Sequence, residues 1–471
     1  MKKVLLSSSL LVSCLGFSQI SQNVNLLSNW FNPATPAEPT YAIKYNGVWG
    51  WVDPQDNKEY AIIGSSEGTY FIDVTIPTAP VVRDYVPGRR NNCIWREYKT
   101  YQNYCYMVSD DGGPPNSFQI ADMSYLPDSV HLVHDDDSIF ERCHTIWVDG
   151  NKLYCGIPRA GVIGGTGRMA VFSLANPELP LLLRKLETNI PSTDYVHDMF
   201  VRNDTVYASS SNSGLFIYKY NTGPNTFTTI NSLTTYPGQG YNHSSSLTPD
   251  GKTLIMLDEV PVNLPCKSVD VTNIMNISVL QTFRSTPSTI ATPHNPHVVN
   301  NTRAVVAYYQ DGVQIFDISN PSNVIRSGYY DTNPTDCPSC PNPNYSGCWG
   351  AYTELPSGII LASDMQNGLF VLDANGALVS SELTEDAAIN LVVFPNPASD
   401  NVSVSFSLKN SAEVSVTVSD LAGRTIFSEH LSLIPGANQS DIDVSGFDAG
   451  IYLVTVRGEG FSLTQKFTVS R

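Results

Sequence analysis

Four of the eight histidines in this 471-residue chain, His144, His197, His243 and His297, stand at matching places in a repeat. Tryptophans hold that place in three more copies, Trp49, Trp95 and Trp349, and the seven starts are 46, 49, 53, 46, 54 and 52 residues apart. Acidic residues fall at a second recurring place: Glu67, Asp110, Asp111, Asp258, Glu259, Asp311 and Asp364. Imidazoles beside carboxylates can hold a divalent metal or bond a polar ligand. The same repetition has a structural reading, in which each histidine fastens its unit to a neighbour's backbone. His294 competes with His297 for the repeat position, since both lie in TPHNPHVV.

Other strings carry less chemistry. Gly64-Ser65-Ser66-Glu67-Gly68 fits G-x-S-x-G, but it lies between two strand patterns, where a nucleophile elbow needs strand–turn–helix. Gly165-Thr166-Gly167 opens a strand rather than a helix able to hold pyrophosphate. The His134–Asp137 run reads as a connecting loop without the distal glutamate of a calcium loop. No H-E-x-x-H occurs. Without a nameable nucleophile or acid–base set, ligand binding at a secreted or surface-exposed site ranks ahead of catalysis. The alternative is a metal-assisted hydrolase or lyase using the same histidines and carboxylates.

Positioning these residues falls to a unit of short strands. YAIIGSSEGTYFIDV (60–74), AVVAYYQDGVQIFDI (304–318) and GIILASDMQNGLFVLD (358–373) are its clearest copies, and four weaker ones complete a set of seven. A period near 50 with about four strands per unit is that of a propeller blade. The expectation is an all-β chain: a seven-bladed β-propeller with its repeats over about 40–383, then a small immunoglobulin-like β-sandwich. Strand direction should bring the repeat starts and the acidic loops to one mouth of the central channel. Cys93 and Cys105 are 12 residues apart, as are Cys143 and Cys155, the latter around Asp149-Gly150. A hairpin centred on each midpoint would set each pair in disulfide reach. Pairings of Cys266, Cys337, Cys340 and Cys348 stay open.

The two ends bear on location. Lys2 and Lys3, the apolar stretch from Val4 to Val12, and Gly16 with Ser18 read as a signal peptide (1–18) cleaved before Gln19. Leu11-Val12-Ser13-Cys14 is a rival lipobox. No stretch is long and apolar enough to span a membrane. A net charge of −17 excludes nucleic acid, whose phosphates call for a basic surface. The propeller is set at 19–383, a polar linker at 384–390 and a second domain at 391–471.

Two resemblances follow. IFDISNPSNVIRSGYY and FIDVTIPTAPVVRDYV resemble the LVIVD-repeat propellers of the choice-of-anchor B family, which implies architecture but no activity. The tail, with Phe394-Pro395-Asn396-Pro397, Asp420-Leu421-Ala422-Gly423-Arg424, Gly450-Ile451-Tyr452 and Lys466-Phe467, resembles the C-terminal sorting domain of type IX secretion. That implies contact with the secretion machinery, export across an outer membrane, and surface attachment or release. An extracellular ligand of unknown identity and a divalent metal are the partner and cofactor these readings leave open.

Overall fold

The computed structural model describes residues 20–378 and 388–471, apart from 112, 114, 286–290, 335–339, 343, 409–410, 421–423 and 459–460. The leader with Cys14, Cys337, and residues 384–387 of the linker lie outside the described residues; 388–390 already belong to the first strand of the tail. The chain divides into two compact units, Met1–Leu378 and Val379–Arg471.

The first unit is seven antiparallel sheets in chain order. Blade one runs Tyr45–Val52, Glu59–Ser65, Gly68–Asp73 and Val81–Pro87; blade two begins with Arg96–Tyr101 and blade three with Thr145–Asp149. Blades four to seven begin with Asp198–Arg202, Asn242–Leu247, Asn295–Asn300 and Cys348–Tyr352. Each of these innermost strands packs on the next, and that of blade seven returns to that of blade one, so the ring is closed. Closure uses the N-terminus: Asn25–Trp30 pairs with Gly368–Asp373 as the outermost strand of blade seven, and Ser21–Gln22 adds a fifth strand to blade six. The repeat pattern begins only near residue 40 and does not register these two strands.

Burial explains the sequence pattern. The second strand of blade one, EYAIIGS, is buried at every residue, because both faces of a blade are covered by neighbouring blades. The seam between blades one and two is filled by Tyr60, Ile62, Phe71, Tyr98 and Met107, so these strands read as continuous apolar runs. Each blade also carries a bulge between its two outer strands, which increases the local twist. His134 lies in one such outermost strand, His131–Asp136, rather than in a connecting loop. The would-be elbow is a strand–strand turn in which Ser66 Oγ donates to the Pro36 carbonyl at 2.7 Å.

The second unit is a β-sandwich of a three-stranded and a four-stranded sheet. Here the strands alternate strictly: Val402, Val404, Phe406 and Leu408 point inward from Asn401–Leu408. They meet Val414, Val416, Val454, Val456 and Phe467 in one core.

Strand register corrects the disulfide expected in blade two. Cys93, Cys105, Cys143 and Cys155 are all free and buried. The blade-two hairpin turns at Gln102, which takes a left-handed φ of 54°, so Thr100 rather than Cys93 faces Cys105. Cys93 instead lies against Ser109 and Asp111. In blade three Ile146 faces Cys155, yet the Cys143 and Cys155 side chains are brought together as expected, as a hydrogen-bonded pair of free thiols rather than a disulfide.

Candidate functional site

The repeat position is the entry to each innermost strand. There the backbone N–H of His144, His197 and His294 donates to the carbonyl closing the neighbouring strand (Gly156, Ser209 and Ala307) at 3.0, 2.8 and 2.9 Å. This places successive rings side by side around the channel. Centroid separations run Trp95–His144 6.5 Å, His144–His197 4.1 Å, His197–His243 4.4 Å, His243–His294 4.2 Å and His294–Trp349 4.6 Å. Six blades thus contribute an aromatic or imidazole ring. In blade one Asn46 sits at the strand entry, its amide donating to the Ile94 carbonyl at 3.1 Å.

The hydrogen bonds of these histidines fix their chemistry. Nδ1 of His197 bonds the His243 carbonyl at 3.1 Å, and Nδ1 of His294 bonds the Trp349 carbonyl at 2.6 Å. A carbonyl only accepts, so Nδ1 carries the proton and Nε2 keeps a lone pair. The His294 carbonyl lies beside the His243 ring, but Nδ1 of His243 makes no well-formed hydrogen bond. Burial, with the neighbouring histidines, holds His197 and His243 well below the usual histidine range, and burial takes His294 to about 3. These three are neutral at neutral pH. His144 differs: burial opposes its charge, but the 2.6 Å bond from Nδ1 to Asp110 and the charges of Asp110, Asp198 and Glu97 together outweigh it and raise the pKa.

The rings surround a cavity of about 280 Å³ whose wall also includes Glu97, Tyr241, Glu259 and Tyr345. Glu259 accepts from Tyr309 Oη at 2.8 Å and stands 3.8 Å from His243 Nε2. Burial raises its pKa. Below it, sharing Glu97, Thr145, Asn295 and Trp349, lies a smaller space of about 70 Å³. Lys99 projects there over the Trp49 ring at 3.8 Å, with Glu97 and Asp198 on the same wall. Burial lowers the pKa of Lys99 and raises those of Glu97 and Asp198, and the attraction between Lys99 and the two carboxylates partly offsets this.

Of the residues expected at the mouth, Trp95, His144, His197, His243, Trp349, Asp110 and Glu259 line the larger cavity. His294 takes the ring position assigned to His297. His297 and Trp49 lie deeper, on the smaller cavity, where Thr353 Oγ1 is 2.9 Å from His297 Nδ1. The other acids line neither cavity. Asp364 turns back to accept from the N–H groups of Gln366 and Asn367 at 2.9 and 2.8 Å. Asp258 is fully buried against Lys267 and Tyr236. Asp311 bonds Ser285, Asp111 bonds the Ile94 N–H, and Glu67 is half-buried on its own turn. Sequence reasoning passed over Glu97, Lys99 and Asp198. Their signal is a pair of charges at i and i+2 in REYKTY, which places both on the channel face of one strand.

Residues 392–470 match the family described as secretion system C-terminal sorting domain. The tail is a sorting domain. The chain is therefore a type IX secretion substrate, delivered to the cell surface or the extracellular space. Among the described residues no helix is long and apolar enough to cross a membrane. No curated protein matches the sequence. Among solved structures, the chain is similar to a putative 6-phosphogluconolactonase from Bacteroides uniformis, with 12% identity, 85% of this chain and 99% of that one covered, and a TM-score of 0.49. A putative 6-phosphogluconolactonase from Bacteroides fragilis is similar at 11% identity, 88% and 100% coverage and a TM-score of 0.48. A hypothetical selenium-binding protein from Sulfolobus tokodaii follows at 11%, 61% and 82%, with a TM-score of 0.44.

Proposed function

We propose that this exported propeller is a binding protein that takes a small polar ligand, a sugar unit or the end of a glycan, at its histidine-ringed channel mouth. The observation that carries this reading is the division of labour in the ring. Nδ1 of His197 and of His294 bonds backbone, and among the described residues no protein group bonds the Nε2 atoms of His197, His243 or His294. The Nε2 lone pairs of His197 and His294, with the carboxylates of Glu97, Asp110 and Glu259, make a wall rich in acceptors, suited to hydroxyl or ammonium donors. Trp95 and Trp349 add flat apolar faces of the kind on which a sugar ring stacks. The repeats are assigned on the same footing to the LVIVD, choice-of-anchor B type of propeller, which fits an exported binding module.

Saturation-transfer NMR on the intact exported chain, with a panel of hexoses and amino sugars, tests the reading. At least one sugar should receive saturation, and Trp95→Ala combined with His197→Ala should abolish it while far-UV circular dichroism stays native. Saturation unaffected by the double variant would place recognition elsewhere. The metal-assisted hydrolase or lyase is a second reading, favoured by the close approach of His243, Glu259 and His294.

A further inference from the structure

We propose that His243, Glu259 and His294 form a site for one divalent first-row transition metal, zinc above all, at the seam of blades five and six. The inference rests on the mouth being the functional surface and adds to it what draws the ligand in. Donor atoms from the three residues all lie within 4.8 Å of one another, and all three residues are buried. Zinc bound at about 2.0–2.1 Å to nitrogen and oxygen sets tetrahedral ligands roughly 3.4 Å apart. The 3.8 Å between His243 Nε2 and Glu259 Oε2 is therefore close to a coordinating separation.

The supporting contacts are those a metal site uses. Nδ1–H of His294 donates to the Trp349 carbonyl, which fixes the tautomer and directs Nε2 as the ligand atom. Tyr309 Oη donates to one oxygen of Glu259, Tyr345 also bonds the carboxylate, and the other oxygen stands beside His243. Fastening of blades accounts for the Nδ1 bond of His294 but not for the carboxylate. Glu259 is buried in a cavity whose wall holds no lysine or arginine. His144, the nearest ring histidine beyond His197, is engaged by Asp110, which its Nδ1 meets at 2.6 Å. A buried carboxylate without a paired cation is costly. A divalent ion bound by two neutral imidazoles would supply the missing charge. Three protein ligands leave coordination positions toward the 280 Å³ cavity, the open arrangement in which an ion also takes a water or a ligand hydroxyl or carboxylate oxygen.

The intact exported chain, stripped with EDTA and dialysed, should be titrated with Zn²⁺ by calorimetry and with Co²⁺ by visible absorption. One equivalent should bind, with the ligand-field bands of low-coordinate cobalt. Glu259→Gln keeps an acceptor for Tyr309, and His294→Asn keeps an amide donor for the Trp349 carbonyl, so both should fold. Each should lower zinc affinity by more than the ~10–100-fold typical of losing a supporting contact. His131→Ala, on an exposed outer strand, should change nothing. Failure of the folded wild type to bind either ion, or stoichiometric binding that survives both variants, would overturn the site. The two readings separate because sugar binding by the metal-free protein would uphold the mouth while the metal falls, and zinc binding without any sugar would do the reverse.

Discussion

Replacing Asp258 by alanine should destabilise the propeller by about 3–5 kcal/mol, the range expected when one partner of a buried ion pair is removed. Neither Asp258 nor Lys267 exposes any side-chain surface. Asp258 also accepts from Tyr236 Oη at 2.9 Å and from the Gly240 N–H at 3.1 Å, so its loss frees two further donors and leaves an ammonium stranded. Lys267→Met should cost less, because Asp258 keeps those two donors. The double variant should cost less than the two single variants summed, since neither charge is then left alone. Burial already holds Lys267 below its ordinary 10.5. Without Asp258 that depression deepens and the folded state binds fewer protons than the unfolded one, so the deficit should shrink as pH rises toward 10.5. All six tryptophans lie between Trp30 and Trp349, so urea unfolding followed by tryptophan fluorescence reports the propeller and not the tail. A loss below about 1 kcal/mol for Asp258→Ala, or an equal loss for Lys267→Met, would refute the reasoning. Asp258 also ties down the loop before Asn242 and precedes Glu259, so sugar binding at the mouth should weaken in parallel.

Two further outcomes are expected. Deleting residues 392–471 should leave the propeller in the periplasm, scored by fractionation and protease access on intact cells, and surface delivery of the truncated chain would contradict the role of the sorting domain. Burial raises Asp364 from 3.8 to about 6, so this residue contributes most below pH 4 and its contribution is lost as pH rises through about 6. The loss is on the order of 3 kcal/mol. Asp364→Asn, which can accept the same two N–H groups, should flatten that stretch of the stability–pH curve, and an unchanged slope in urea midpoints would remove Asp364 as its source.

The architecture was legible because blades repeat the residues that enter the channel. Seven starts near a period of 50 mark seven innermost strands, although Asn25–Trp30 joins blade seven from over 300 residues away and leaves no periodic trace. Which histidine of TPHNPHVV enters the ring was not legible. That depends on where the innermost strand starts, and His294 immediately precedes Asn295. The acids misled for a local reason. A carboxylate after the second strand either faces the mouth, as Asp110 and Glu259 do, or folds back onto its own turn, as Asp364 does. In blade one Ser65 serves the turn instead, accepting from the Gly68 N–H at 3.1 Å. Spacing alone likewise could not centre the cysteine hairpins, since a left-handed residue at Gln102 moved the turn away from the midpoint.

Fastening and binding were posed as rival explanations for the repeated histidines, but an imidazole has two nitrogens and can serve both. Blade one shows what fastening alone requires. Asn46 occupies the strand entry there, and its amide makes the inter-blade bond to Ile94 that Nδ1 makes in His197 and His294. Were fastening the whole purpose, asparagine would serve at those positions too. What histidine adds is Nε2, held neutral by burial, with its direction set by the bond on the other side of the ring. Side by side at ring separations of 4.1–4.4 Å, with the carboxylate of Glu259 beside them, these imidazoles line one cavity. The bonds that hold the blades together also aim the atoms that would take a ligand, so the rigidity of the propeller becomes the preorganisation of its mouth.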